Sequence, residues 1–409
     1  MERALRDYLV VTAGYWAFTV TDGALRMMVV LHFHLLGYTP FEVAMLFLFY
    51  EFFGVVTNLV GGWLGARIGL DRTMHVGMGL QVLALAMLVV PQAWLSVPYV
   101  MAAQALSGVA KDLNKMSAKA SVKALAGGAS ESRLFAWVAV LTGSKNALKG
   151  GGFFVGAALL EFIGFRGALA VLAGLLLGVL VLSVRLLPRG IGRLSVKPKF
   201  VDVFSRVPAV NWLAGARFFL FASRDVWFVV GLPVFLYDVL DWSFMQVGGF
   251  LALWVIGYGL VQTVAPVLLR STARASAPGG RSARTAVFSL TAVPAAIALA
   301  LAAAWPPQTV VVVGLVVFGV VFALNSAIHS YLVLAYAEAD KVAMNVGFYY
   351  MANAGGRLAG TVLSGYAYQA HGLGACLWWS AGLLASAALC SLALPEVAAV
   401  RGNVAARRV

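Results

Sequence analysis

Apolar runs of about 20 residues follow one another along nearly the whole chain, broken by short polar stretches. They predict twelve helical spans, at 8–36, 41–65, 73–93, 97–119, 133–160, 166–187, 209–237, 244–269, 285–304, 308–336, 342–370 and 374–394. Each is long enough to cross a hydrocarbon layer of about 30 Å. The longer ones accommodate tilt or protruding ends rather than additional passes. Asp7 precedes the first span and no small-residue cleavage site follows it, so this run reads as a retained helix and not a signal peptide. The expectation is an all-α polytopic membrane protein.

Six spans lie on either side of the longest polar stretch, Pro188 to Pro208. That divides the chain into a first bundle (1–187), a connection (188–208) and a second bundle with a short tail (209–409). Three short matches relate the two bundles. Span four carries Gly108-Val-Ala-Lys-Asp-Leu-Asn114 and span ten carries Gly319-Val-Val-Phe-Ala-Leu-Asn325. Asn146-Ala147 with Lys149 in span five answers Asn353-Ala354 with Arg357 in span eleven. Phe18 and Asp22 in span one answer Phe221 and Asp225 in span seven. Matches in register between spans of equal rank predict two parallel six-helix pseudo-repeats.

Composition agrees with the pattern: 62% of residues are hydrophobic, 11% are charged, and the mean hydropathy is +0.89. In a soluble protein the net charge of +14 would suggest nucleic acid. Here the charges have another explanation. Of 30 Lys and Arg, 21 fall on segments assigned to one side, only Arg166 on the other, and eight within spans. This asymmetry is the positive-inside signature and places both termini in the cytoplasm. Nucleic acid is therefore not an expected partner. Cys376 and Cys390 lie about 21 Å apart along one helical run, too far to bridge. No metal-ligand cluster and no cofactor motif is apparent.

The loop between spans two and three reads Gly62-Trp-Leu64-Gly-Ala66-Arg67-Ile-Gly69-Leu-Asp71-Arg72, which resembles the signature loop of the major facilitator superfamily. The usual acidic residue is replaced by Ala66, and Asp71 is the only nearby substitute. Residues 15–38, 48–70, 111–123 (KDLNKMSAKASVK) and 142–154 further resemble the ArsJ family of organoarsenical efflux permeases. That resemblance implies export of 1-arseno-3-phosphoglycerate through the inner membrane. Glyceraldehyde-3-phosphate dehydrogenase forms this product when it takes arsenate in place of phosphate, and its removal would confer arsenate resistance.

Eight cations lie within spans: Arg26, Lys111, Lys115, Lys145, Lys149, Arg217, Arg224 and Arg357. Charges at such depth are costly and mark functional positions. Four acids, Asp22, Glu51, Asp112 and Asp225, accompany them as possible charge partners or proton carriers. The candidate substrate-binding set is Arg26, Lys111, Lys115, Lys145, Lys149, Arg224 and Arg357, together with Asn114 and Asn146. Arg suits bidentate recognition of tetrahedral oxyanions and Lys acts as a point charge. Arg26 has Asp22 one turn away, and Arg224 has Asp225 beside it, so structural pairs compete with substrate contact there.

Lys111, Lys115, Lys119 and Lys123 recur every fourth residue and form a cationic stripe. Lys119 and Lys123 read as end-of-helix residues whose amines snorkel to water. Arg217, only about 12 Å into its span, is open to the same reading. His32 and His34 are expected to be hydrated at the outer end of span one. Tyr15, Trp16, Tyr349 and Tyr350 are candidates to line the path. The glycines from Gly150 to Gly156 are read as a surface for close helix approach. Uniport and proton antiport both stay open. A membrane enzyme would need a nucleophile–base set or metal ligands, and the five scattered histidines supply neither. A general organophosphate or drug exporter is the competing transporter reading.

Overall fold

The computed structural model describes residues 2–37, 46–126, 130–193, 205, 207–242, 244–270, 277–338 and 341–397. Most of the expected connection at 188–208, the tail beyond 397 and the start of the second expected span lie outside these residues. Among the described residues the secondary structure is helical throughout. In chain order the α-helices are α1 (Glu2–Leu35), α2 (Leu48–Ile68), α3 (Leu70–Met87), α4 (Val97–Ala126), α5 (Glu131–Leu186) and α6 (Pro208–Phe228). They continue with α7 (Gly231–Asp238), α8 (Phe244–Arg270), α9 (Gly280–Ala302), α10 (Pro307–Tyr336) and α11 (Val342–Leu392).

Two elements are far too long for one pass. The 56 residues of α5 break at Gly164, whose φ of 70° suits glycine. The 51 residues of α11 break at His371 and Gly372. At 1.5 Å per residue each would otherwise reach roughly 75–85 Å, more than twice the hydrocarbon thickness. Six helical stretches are long and apolar enough to cross a membrane: Glu131–Leu186, Pro208–Asp238, Gln246–Leu269, Gly280–Ala302, Pro307–Tyr336 and Val342–Leu392. Helices α1 to α4 are not among them. Asp22, Arg26, Glu51, Asn58, Lys111, Asp112, Asn114 and Lys115 lower the hydropathy of α1, α2 and α4, and Asp71, Arg72, His75 and Gln81 lower that of α3.

Packing groups the chain differently from sequence order. One compact unit consists of Met1–Ala129, Ser144–Phe204 and Glu338–Met351; the other consists of Ser130–Gly143, Ser205–Ala337 and Ala352–Val409. Thus the first turns of α11 belong with the first unit, and the first turns of α5 with the second. In the first unit, Leu25, Met28, Val29 and Phe33 of α1 meet Leu85 of α3, Val100 of α4 and Phe165 of α5 in one core. The core of the second unit gathers Trp227, Trp254, Phe318 and Phe322. There the rings of Trp227 and Phe318 meet edge-on at 5.0 Å.

Glycines set the closest approaches. A Cβ at Gly152 would meet Val20 O at 2.7 Å, and one at Gly156 would meet Ala24 O at 2.5 Å, so α5 lies directly on the α1 backbone. In the second unit a Cβ at Gly356 would meet Phe218 O at 2.1 Å, and one at Gly360 would meet Ala222 O at 2.6 Å. The same small-x-x-x-small spacing therefore joins α11 to α6. Backbone cannot yield to a methyl group as a flexible side chain can. Gly356→Val is expected to reduce folded protein severalfold, measured as monodisperse material recovered in detergent, because overpacking of about 1–3 kcal/mol or more acts on a rigid contact.

The turn between α2 and α3 is closed by Gly69, at a φ of 106°. Asp71 accepts a hydrogen bond from Gly190 N at 3.0 Å, and Leu70 N donates to Ile191 O at 2.8 Å. Asp71 thus ties this turn to the segment leaving α5, within the first unit.

Candidate functional site

Two cationic residues of the first unit, Arg26 and Lys111, meet at one aromatic ring. Gly108 has no side chain, so α4 closes on the backbone of Tyr50 in α2, where a Cβ would meet Tyr50 O at 2.4 Å. One turn further along α4, Lys111 Nζ stands 3.8 Å from the centre of the Tyr50 ring. The guanidinium of Arg26, from α1, stands 4.5 Å from the same ring. The Tyr50 hydroxyl donates to Asp22 Oδ1 at 2.6 Å. This buried tyrosine therefore joins α1, α2 and α4 through both its ring and its hydroxyl. Contacts of this kind contribute about 0.5–2 kcal/mol each.

Acids divide themselves among these cations. Glu51 reaches Arg26 Nη2 at 3.5 Å and Lys111 Nζ at 3.7 Å. Asp112 reaches Lys111 at 3.6 Å and makes a shorter contact with Lys115. Asp112 is 2% exposed and fits because α2 has Gly54 opposite, where a Cβ would lie 2.6 Å from Asp112 Oδ2. Lys115 and Lys119 then approach the Tyr350 ring at 4.9 and 5.0 Å. On α5, Lys145 donates to Asn146 Oδ1 at 3.3 Å, and Lys149 is half-buried where α5 crosses α1. Asn114 points elsewhere, donating to Met74 O at 3.4 Å.

In the second unit one carboxylate serves two arginines. Asp225, 1% exposed, accepts from Arg224 Nε at 2.6 Å and from Arg357 Nε at 3.2 Å. The Arg224 guanidinium also lies 4.8 Å from the Phe221 ring. Arg217 approaches that ring at 4.0 Å.

Most of the candidate residues are thereby brought into two clusters. Arg26, Lys111, Lys115, Asp22, Glu51 and Asp112 form one; Arg224, Arg357 and Asp225 form the other. Lys145, Asn146 and Lys149 lie along α5, and Asn114 belongs to the α3–α4 contact. Four expectations change. Arg26 takes Glu51 as its acid, because Asp22 is engaged by Tyr50. Lys119 is only 5% exposed and does not snorkel, since the first turns of α11 cover it with Tyr350. Arg217 is 3% exposed and held by Asn353 Oδ1 at 2.8 Å and Ser326 Oγ at 3.0 Å, so it too is interior. His32 stacks on Phe165 with ring centres 4.0 Å apart instead of standing in water.

Tyr50 is a residue of the first-unit cluster that the sequence does not mark. An aromatic residue in an apolar helix carries no mark of a hydroxyl that will find a polar partner. The one available signal is spacing: Tyr50 precedes Glu51 and lies eight residues before Asn58, on a helix that also carries Gly54.

The family model of the Major Facilitator Superfamily matches residues 9–277, more than half of the chain. No curated protein matches the chain. Solved structures are similar in fold at low identity. The human organic anion transporter MFSD10 (TETRAN) is similar over 95% of this chain and 99% of its own, with 15% identity and a TM-score of 0.75. The proton:xylose symporter XylE is similar over 97% and 96%, with 12% identity and a TM-score of 0.75. A bacterial homologue of the iron transporter ferroportin, in an outward-facing state, covers 95% and 98% with 15% identity and a TM-score of 0.75. With several membrane-spanning helices and this match, the chain belongs to the major facilitator superfamily and is a multi-pass membrane transporter, not an enzyme.

Proposed function

We propose that the protein exports an anionic organoarsenical, 1-arseno-3-phosphoglycerate, by alternating access, and so confers arsenate resistance. The observation that carries this reading is the run of cations from Arg26 and Lys111 over Tyr50 to Lys115, which shares the acid Asp112 with Lys111, with Lys145 and Lys149 on the neighbouring α5. Its substrate identity comes from the resemblance to the organoarsenical permeases. The substrate carries tetrahedral oxyanions at both ends, which basic side chains recognise by charge and by directed hydrogen bonds. Lys111, Lys145, Lys149 and Arg357 are the foremost binding residues, with Arg26, Lys115, Arg224, Asn114 and Asn146 completing the set. Glu51, Asp112 and Asp225 hold these cations in place between cycles, and with Asp22 they are the groups available to carry protons.

The same reading places twelve spans in two six-helix repeats, with the connection at 188–208 and both termini on the cytoplasmic side of the inner membrane. It is supported by the 21 basic residues on one set of connections. It also draws on the glycine pairs that join α5 to α1 and α11 to α6 in the same manner. A negative cytoplasm drives an anion outward by about 2.3 kcal/mol per charge per 100 mV, enough for export without a coupled ion. The functional partner is glyceraldehyde-3-phosphate dehydrogenase as the source of substrate.

A general exporter of organic phosphates is the second reading, since the same cations bind any phosphoryl group. Uptake into inside-out vesicles decides between them. Accumulation of arsenophosphoglycerate, with 3-phosphoglycerate and inorganic arsenate excluded, is the expected result. Equal accumulation of 3-phosphoglycerate would establish the general exporter, and no uptake of the first compound would remove the organoarsenical reading.

A further inference from the structure

We propose that Arg217, His329 and the Asn325–Ser330 face of α10 form a second binding site, for a tetrahedral oxyanion, buried within the second unit. Arg217 is fixed rather than mobile: Nε donates to Asn353 Oδ1 at 2.8 Å, Nη1 donates to Ser326 Oγ at 3.0 Å, and its plane approaches Phe221. These two side-chain acceptors are an amide oxygen and a hydroxyl. Tyr258 donates to the same Ser326 Oγ at 3.1 Å and is itself hydrogen-bonded to Gln262. His329 lies close enough to Arg217 to interact with its charge.

The second observation is a set of buried polar groups with nothing to bond. Asn325, His329 and Ser330 are at most 1% exposed. Both amide atoms of Asn325, both ring nitrogens of His329 and the hydroxyl of Ser330 lack a hydrogen-bond partner among the described residues. Buried polar groups are almost always satisfied, so several on one helix face mark a place where something else supplies the partners. At 100° per residue, positions 325, 326, 329 and 330 fall within an arc of about 140°, facing one side of α10. Together with the guanidinium they offer an imidazole, an amide and hydroxyls as donors. That combination of a fixed positive charge and several directed donors fits the separated oxygens of phosphate or arsenate.

The repeat relation sharpens the contrast. The residues aligned with Phe322, Ala323 and Ser326 are Lys111, Asp112 and Lys115 in α4, where an acid is interleaved with the cations. The α10 face carries no acid from Phe322 to Ser330, so an incoming oxyanion meets donors without a competing carboxylate on that helix. Asp225 is the carboxylate on the neighbouring α6, and it is engaged by Arg224 and Arg357. The site does not depend on which organic anion is transported.

Thermal unfolding and titration of the purified full-length protein in detergent test this, with inorganic phosphate, 3-phosphoglycerate and chloride as probes. Phosphate or 3-phosphoglycerate, but not chloride, is expected to raise the unfolding midpoint. Ser330→Ala and His329→Gln are each expected to weaken that binding about tenfold, and Arg217→Gln to abolish it. Binding of free phosphate identifies an inorganic-ion site; binding of 3-phosphoglycerate alone identifies a seat for the phosphoryl end of an organic anion. Repeating the measurement in Lys111→Ala separates this site from the first-unit cluster. The proposal is overturned if neither anion binds the wild type, which would leave water as the occupant. It is equally overturned if binding survives in the α10 and Arg217 variants but is lost in Lys111→Ala. Should Arg217→Gln not fold, Ser330→Ala and His329→Gln decide alone.

Discussion

Replacing Lys111 with alanine is expected to lower transport by about ten- to hundredfold, the loss of one charge-assisted contact worth about 1.5–3 kcal/mol, while membrane abundance stays near the wild-type level. The two halves of this expectation come from the way the acids are shared. Glu51 lies between Arg26 and Lys111, and Asp112 between Lys111 and Lys115. With Lys111 gone, Glu51 keeps Arg26 and Asp112 keeps Lys115, so no buried carboxylate is stranded. What disappears is one of the two cations over Tyr50 at the centre of the cluster. Vesicle uptake set against protein abundance by immunoblot checks the result. Unchanged uptake would reduce Lys111 to a structural charge.

Asp225→Asn is expected to behave in the opposite way, with stability as the first casualty. Its carboxylate is the one that Arg224 and Arg357 share, and it is almost wholly buried. Removing one partner from a buried ion pair costs about 3–5 kcal/mol, because charge that was compensated at low dielectric no longer is. Arg357 is 29% exposed, which screens part of this and places the expectation toward the lower end of that range. The measurement is the unfolding midpoint of the purified protein, which should fall by several degrees. Pairing Asp225→Asn with Arg357→Gln should recover part of the loss. An unaltered midpoint in Asp225→Asn would show that the two arginines do not rely on this acid.

Hydropathy alone was enough to read the membrane class, because apolar runs of span length have no other economical explanation in a chain of this composition. Depth along a helix also marks Lys111 and Arg224, whose side chains are 12% and 15% exposed. It failed for Lys119, Arg217 and His32 for a common reason. Distance from the end of a span estimates exposure to lipid headgroups, whereas burial is decided by which other helix covers the position. The first turns of α11 cover Lys119 with Tyr350, α10 and α11 cover Arg217, and Phe165 covers His32. Such partners are more than 100 residues away in sequence, and no local pattern reveals them. The choice of Glu51 over Asp22 as the acid for Arg26 is of the same kind, since it turned on a tyrosine hydroxyl from another helix.

The low hydropathy of α1 to α4 bears on how the chain enters the membrane while it is being made. A helix with ionised residues at its centre gains little from lipid by itself, and each exposed charge adds about 2.5–3.5 kcal/mol to the cost of insertion. Arg26 leaves the ribosome 25 residues ahead of Glu51. Lys111 and Asp112 follow only after α3 has been completed. The first helix must therefore wait, beside the insertion machinery or in a shallow position, until α2 and α4 bring the groups that neutralise it. The charged cluster proposed to bind substrate in the finished protein would, during synthesis, be the latch that brings α1, α2 and α4 into the bilayer as a group.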